Sequence, residues 1–457
     1  PRRFGKSLFL SMLENYYDMN RREKFDALFG VLWIGQHPTE QRNSYAVMRL
    51  DFSCVSSNLD ECEESFNINC YTAISKFCTQ YKSLLPSDIL ENMIVNGNAA
   101  ANMNELFSKC TLSGINVYLL IDEYDNFTNK VLSDVSALSK YESITHQDGF
   151  YRTFFAALKS ATSTCLKKIF ITGVSPVTLD DLTSGFNINF NYTSYAAFNE
   201  MMGFTEVEVR AILDYYRQFH PFNHTTDELI DIIKPWYDNY CFSRESLDDE
   251  TLYNSDMVFY FVNAYVGKKC KIPAEMLDAN IRIDYKKLMM LIRADHEFEN
   301  QTSAIQEIVR NGKINSVLND NFPAKDVTRR TNFISLLYYF GMLTIGGIYR
   351  DEYVFTIPNQ VVRKQMIEYL MENYNRKDLT YEEDRIRLLA GNMAYDGEWR
   401  EYFEYIAGVM KDYSSHRDKQ KGEAYVHGFT FALALHNSFY LPVSENDTAA
   451  GYSDVYL

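Results

Sequence analysis

Gly5-Lys6-Ser7 runs straight into an apolar-periodic segment, Leu8 to Tyr17. At the mouth of a helix this tripeptide is the closing half of the phosphate-binding pattern G-x-x-x-x-G-K-[ST], whose leading glycine would fall one residue before Pro1. Each residue type has a task. Glycine lets the backbone approach phosphate closely, and the first amides of the helix, with its dipole, favour an anion there. Lysine reaches the outer phosphates, and the serine hydroxyl ligates magnesium.

A second stretch supplies complementary chemistry. In Val117-Tyr-Leu-Leu-Ile-Asp-Glu-Tyr-Asp125, five apolar residues are followed by a block of carboxylates. That pattern predicts a buried strand delivering acids at its C-terminal end, the edge where open α/β sheets bind ligands. One carboxylate there can hold magnesium, directly or through water, and a neighbouring glutamate can polarise a water against a terminal phosphate; a buried strand followed by a charged turn is the plainer alternative. A third strand, Lys168 to Thr172, closes on polar residues, with Thr172 and Ser175 both candidates to sense that phosphate. For either one alone, a plain strand-to-loop turn is an equal reading.

These groups meet only if the chain positions them. A helix is expected from Leu8 to Tyr17, a strand around Tyr45 to Ser53, and helices over Leu59 to Tyr81 and Phe150 to Ala161. Strands alternating with helices predict a parallel sheet covered on both faces. Beyond Gly203 the pattern becomes helical, and Thr205 with Glu208 reads as a capping box. Trp236 to Ser243 reads best as an aromatic core plug. A helix over Thr331 to Tyr339, then a hairpin read as Met342 to Ile345, Gly346-Gly347 and Tyr353 to Pro358, suggests a winged-helix-like module. Such a module could bind DNA or serve as a domain joint.

Composition sets bounds. The 457 residues are 46% hydrophobic and 23% charged, ordinary for globular domains, and they suffice for several of them. A formal charge of −16 argues against general coating of nucleic acid, though not against a local basic groove. No apolar run is long enough to span a membrane. The eight cysteines contain no C-x-x-C, and Cys54, Cys62, Cys70 and Cys78 recur every eight residues. Structural thiols in a reducing cytoplasm are the expected reading.

Pro1-Arg-Arg-Phe-Gly-Lys-Ser-Leu8, Leu119-Leu-Ile-Asp-Glu-Tyr-Asp125 and Ile171-Thr-Gly-Val-Ser-Pro-Val177 occur together and in this order. Gly203 to Val209, Trp236 to Ser243 and Ser335 to Thr344 follow. With these motifs the chain resembles bacterial AAA-ATPase-like proteins that carry a C-terminal PD-(D/E)xK nuclease-superfamily domain. The resemblance implies an α/β P-loop NTPase core of the AAA+ type. It implies ATP and Mg2+ bound by Gly5, Lys6 and Ser7, Asp122 as the Walker B acid, and Glu123 as the catalytic carboxylate. In that family an arginine-rich loop replaces the leading glycine, and Arg2 and Arg3 sit where they could flank the phosphates. A homo-oligomer is an inherited expectation.

The expected layout is a P-loop domain over 1–200, with its first strand lying before Pro1, and a helical lid or linker over 201–300. The winged-helix-like module then covers 301–365, and a partial nuclease-like α/β domain covers 366–457. By resemblance Glu423 and Asp454 match two nuclease positions, with the E-x-K strand expected beyond Leu457. Two functions stay open. One is an ATPase coupled to a nuclease acting on DNA. The other is a nucleotide-dependent switch or scaffold whose C-terminal domain binds without cutting.

Overall fold

The structure, a computed structural model, describes residues 2–56, 58–91, 93–94, 97–126, 138–146, 148–178, 186–188, 190–273, 275–277, 298–327, 329–375, 382–413, 430, 443–448 and 451–456. The chain divides into two compact units. The first comprises Pro1–Tyr192, Met290–His296 and Asn319–Phe340; the second comprises Thr193–Met289, Glu297–Leu318 and Gly341–Leu457.

The first unit is built on a three-stranded parallel sheet in the order β1 (Ala46–Asp51), β2 (Val117–Asp122), β3 (Leu166–Ile171). Every residue of β2 is buried, as expected of a central strand covered on both faces. Side chains alternate between the faces. Val117, Leu119 and Ile121 join Ala46, Met48 and Leu50 in the larger core. That core is filled by helices α2 (Cys62–Gln80), α3 (Ala99–Leu112) and α4 (Phe150–Ala161). Tyr118 and Leu120 face the other way, with Tyr45 and Val47, onto Leu10, Leu13 and Tyr17 of helix α1 (Lys6–Tyr17). Tyr17 meets Tyr45 and Tyr118 edge-on at ring separations of 6.0 and 5.2 Å.

The cysteine recurrence has a packing cause. Cys62, Cys70 and Cys78 lie along the buried face of α2, and all eight thiols are free, Cys54 being the exposed one. Burial pushes the Cys62 and Cys78 thiols up to about 11.

In the second unit, helices Glu206–Arg217 and Thr226–Tyr237 each open with a full capping box, Thr205 with Glu208 and Thr225 with Glu228. Tyr237, Tyr240, Cys241 and Phe242 are buried, so Trp236 to Ser243 is largely a core plug. An antiparallel sheet runs β4 (Lys313–Ser316), β6 (Glu352–Thr356), β5 (Thr344–Tyr349). The hairpin turns at Arg350, which has φ 56°, rather than at Gly346-Gly347. Those glycines lie inside β5, where a Cβ on Gly346 would come within 2.6 Å of Thr356. Helix Arg330–Tyr339 belongs to the first unit and this hairpin to the second. At the C-terminal end, β7 (Val443–Thr448) pairs antiparallel with β8 (Gly451–Tyr456), which carries Asp454. Glu423 lies outside the described residues.

Candidate phosphate-binding site

Strand parity decides which side chains can meet. Counting along β1, Arg49 falls on the same face as Tyr45 and Val47. Asp122 falls on the face of Tyr118 and Leu120, and Thr172 on that of Phe170. All three therefore emerge at the C-terminal ends of adjacent strands, on the face that α1 covers. The ladder fixes their level, because β1 pairs Asp51 with Asp122, and β2 pairs Ile121 with Ile171, one residue before Thr172.

Asp122 is the centre of the cluster and is only 2% exposed. Ser7 Oγ donates to its Oδ2 at 2.7 Å across 115 residues of sequence. Thr172 Oγ1 donates to Oδ1 at 2.7 Å, and the Glu123 amide donates to the same oxygen at 3.1 Å. Arg49 Nη2 pairs with Oδ2 at 3.5 Å. Both carboxylate oxygens are thus satisfied, as burial of a charge requires. The sequence-predicted Ser7, Asp122 and Thr172 are in direct contact. The second candidate at the end of β3 is elsewhere engaged: Ser175 Oγ accepts from the Val177 amide at 3.3 Å.

The loop feeding α1 has the backbone of an anion cradle. Arg3 and Gly5 are both left-handed, with φ 62° and 92°. Gly5 is the N-cap and supplies no side-chain cap, and the first turn holds no acid. The positive end of the helix dipole is therefore left for an external anion. Glycine suits the left-handed position at Gly5, whereas Arg3 adopts it with a Cβ, at a cost of roughly 1–2 kcal/mol.

Lys6 is half-buried at the start of α1. Burial pulls its ammonium below the ordinary range, against the attraction of Glu123, Asp125 and Asp122. Glu123 follows β2 in a left-handed conformation, φ 54°. Burial pushes its carboxyl up, and the Asp125 charge adds to that, while Lys6 and Arg2 oppose it. Lys6 and Glu123 therefore lie within electrostatic reach of one another. Gly5, Lys6, Ser7, Asp122, Glu123 and Thr172 all belong to the first unit, and Asp454 to the second.

Ser7 Oγ and Asp122 Oδ2 offer two adjacent oxygens of the hard type that magnesium prefers. Among the described residues no cluster of three His, Cys, Asp or Glu could hold a metal. A nucleotide-bound magnesium does not need one, since it takes one or two protein groups together with phosphates and waters.

Two participants were not anticipated. Arg49 is a charged residue flanked by buried Met48 and Leu50 in β1, and its parity with Val47 was the available signal. Asp125 is fully buried and bonds the loop after β3, accepting from the Val174 and Ser175 amides at 3.0 and 2.6 Å.

No helix among the described residues is long and apolar enough to cross a membrane. Comparison with curated proteins and with solved structures gives no match. Over residues 1–183 the chain matches the model of the AAA-ATPase-like family, described as a predicted AAA-ATPase.

Proposed function

We propose that the first unit binds ATP with Mg2+ at the N-terminus of α1 and hydrolyses it. The observation that carries this reading is the Ser7–Asp122–Thr172 chain of hydrogen bonds. It joins the end of a glycine-lysine-serine loop to the carboxylate end of a central parallel strand. The family match over residues 1–183 supports nucleotide use. Ser7 and Asp122 would hold the metal ion, which supplies charge neutralisation on the phosphates when bound. Lys6 binds the outer phosphates, and the α1 amides receive their negative charge. Glu123 orients a water and accepts its proton. Burial favours this second task, because a carboxyl raised above its ordinary range is a stronger proton acceptor once ionised.

Phosphate release and binding of a fluorescent ATP analogue test the reading. Lys6→Ala should weaken binding, and Glu123→Gln should slow hydrolysis by about 100-fold or more while sparing binding. Unchanged hydrolysis in both folded variants would refute it.

We propose a helical lid or linker role for the segment 201–300, and a nuclease-like domain over 366–457. The latter is supported by the resemblance and by Asp454 lying on a strand. Magnesium-dependent DNA cleavage that disappears with Asp454→Ala would establish a coupled nuclease. ATP turnover without cleavage would favour the switch or scaffold.

A further inference from the structure

Asp125 presents an imbalance. Its Oδ2 accepts two backbone amides, those of Val174 and Ser175, yet its buried Oδ1 has no hydrogen-bond partner among the described residues. Buried polar atoms are almost always satisfied, so an orphaned carboxylate oxygen needs an explanation. Its surroundings show what the side chain holds. The Tyr124 hydroxyl donates to the Ser175 carbonyl, and the Tyr151 hydroxyl donates to the Tyr124 carbonyl. The Tyr124 amide donates to the Thr172 carbonyl at 3.2 Å. Gly173 lies so close that a Cβ there would meet the Tyr124 ring and come within 2.6 Å of Asp125 Oδ1. Residues 172 to 175 are therefore gripped from both sides by the two residues that follow Glu123.

We propose that Asp125 is a positioning residue of the ATP site: by clamping the Val174 and Ser175 amides it sets the Thr172 hydroxyl on Asp122. The assignment rests on the ATP reading of this site. Asp125 acts through Thr172 and Asp122, not on substrate. Its Oδ2 anchors a loop whose first residue bonds the Walker B carboxylate, so loosening the clamp lets Thr172 drift from its 2.7 Å contact. Misplacement of this kind lowers turnover far more than ground-state binding, by as much as about 100-fold for a displacement near 1 Å.

The test measures ATP hydrolysis and binding of a fluorescent ATP analogue in the full chain. Asp125→Ala removes the clamp. It should lower kcat at least about tenfold while the Kd for the analogue stays within about threefold. Asp125→Asn keeps an acceptor oxygen for the two amides, so it should bring kcat back to within about threefold of the parent. Gly173→Ala drives a Cβ against Tyr124 and Asp125, pushing the loop off the clamp, and should reproduce the kcat loss, which keeps the idea testable if Asp125→Ala does not fold. Parental kcat in folded Asp125→Ala or Gly173→Ala would overturn the assignment. So would an Asp125→Asn protein as slow as Asp125→Ala, since charge and not the clamp would then matter. Lys6→Ala separates the two layers. If that variant binds the analogue normally, the ATP reading itself fails. If it loses binding while Asp125→Ala hydrolyses normally, only the clamp fails.

Discussion

Replacing Thr172 by valine removes a hydroxyl and keeps the branched shape at the end of β3; the bond it removes is chiefly the 2.7 Å one to Asp122, the Ile121 carbonyl lying farther off at 3.4 Å. Thr172 is 6% exposed and Asp122 2%, so water cannot readily take the vacated place. A hydrogen bond to a charged group contributes about 1.5–3 kcal/mol. Oδ1 keeps the Glu123 amide at 3.1 Å, which argues for the lower half of that range, about 2 kcal/mol. For a unit of roughly 150–250 residues this corresponds to a fall in melting temperature of about 4–8 °C. Calorimetry of the full chain should show the shift in the transition that carries the first unit. Thr172→Ser, which restores the hydroxyl, should recover most of it. Ser7→Ala addresses the other oxygen of the same carboxylate, so the double variant should depart from additivity by about 0.5 kcal/mol or more. An unchanged melting temperature in Thr172→Val, or a serine variant no better than valine, would refute the claim that this hydroxyl is bound to Asp122.

Two further predictions concern groups away from the reacting atoms. Burial raises the Asp125 carboxyl above its ordinary range, so the stability linked to its protonated form is present in acid and lost as pH rises through the folded pKa. Asp125→Asn removes that loss, so its melting temperature relative to the parent should rise as pH climbs above the ordinary carboxylate range, and a flat difference would contradict the burial argument. A thiol reagent should label Cys54 rapidly in the folded chain, because it is exposed, and reach the buried thiols only on unfolding. Rapid labelling of Cys70 or Cys110, whose thiols burial holds well above the usual range, would mean that the large core opens readily.

Much of the site was legible because its signals are local. Gly5-Lys6-Ser7 and the run from Val117 to Asp125 announce a helix mouth and a strand end. Helix α4 was read to its residues, and α1 begins two residues earlier than its apolar pattern, because Lys6 and Ser7 form its first turn. Helix α3 was passed over, although Ala99, Met103, Leu106, Phe107 and Cys110 bury one face and Asn98 caps it by accepting from the Ala101 amide. Its two internal asparagines mask the pattern, and one of them, Asn102, is buried and bonds the Ile94 carbonyl at 3.0 Å. The choice between Thr172 and Ser175 could not be made from residue type. It depends on position: Thr172 directly follows the last β2–β3 pair, beside Asp122, whereas Ser175 lies farther along the loop beyond β3. Arg49 was missed for the same reason, since its role depends on β1 lying beside β2, which sequence alone does not fix.

That register dependence explains why the residues after β2 are consecutive and polar. Asp122 engages α1 and the end of β3. Tyr124 and Asp125 bond the loop after β3, and Asn126 Nδ2 donates to the Val55 carbonyl in the loop after β1 at 3.0 Å. Four of the five residues from 122 to 126 therefore tie a central strand to the segments on either side of it, and the proposed catalytic carboxylate, Glu123, stands among them in a left-handed turn. A strand buried on both faces is the most rigid support the sheet provides, and catalytic groups need placement within about 0.5 Å. Loosening any one tie should therefore disturb Glu123 indirectly. Substitutions at Tyr124, Asp125 or Asn126 should act on turnover before they act on nucleotide affinity, whereas substitutions at Lys6 should act on affinity first.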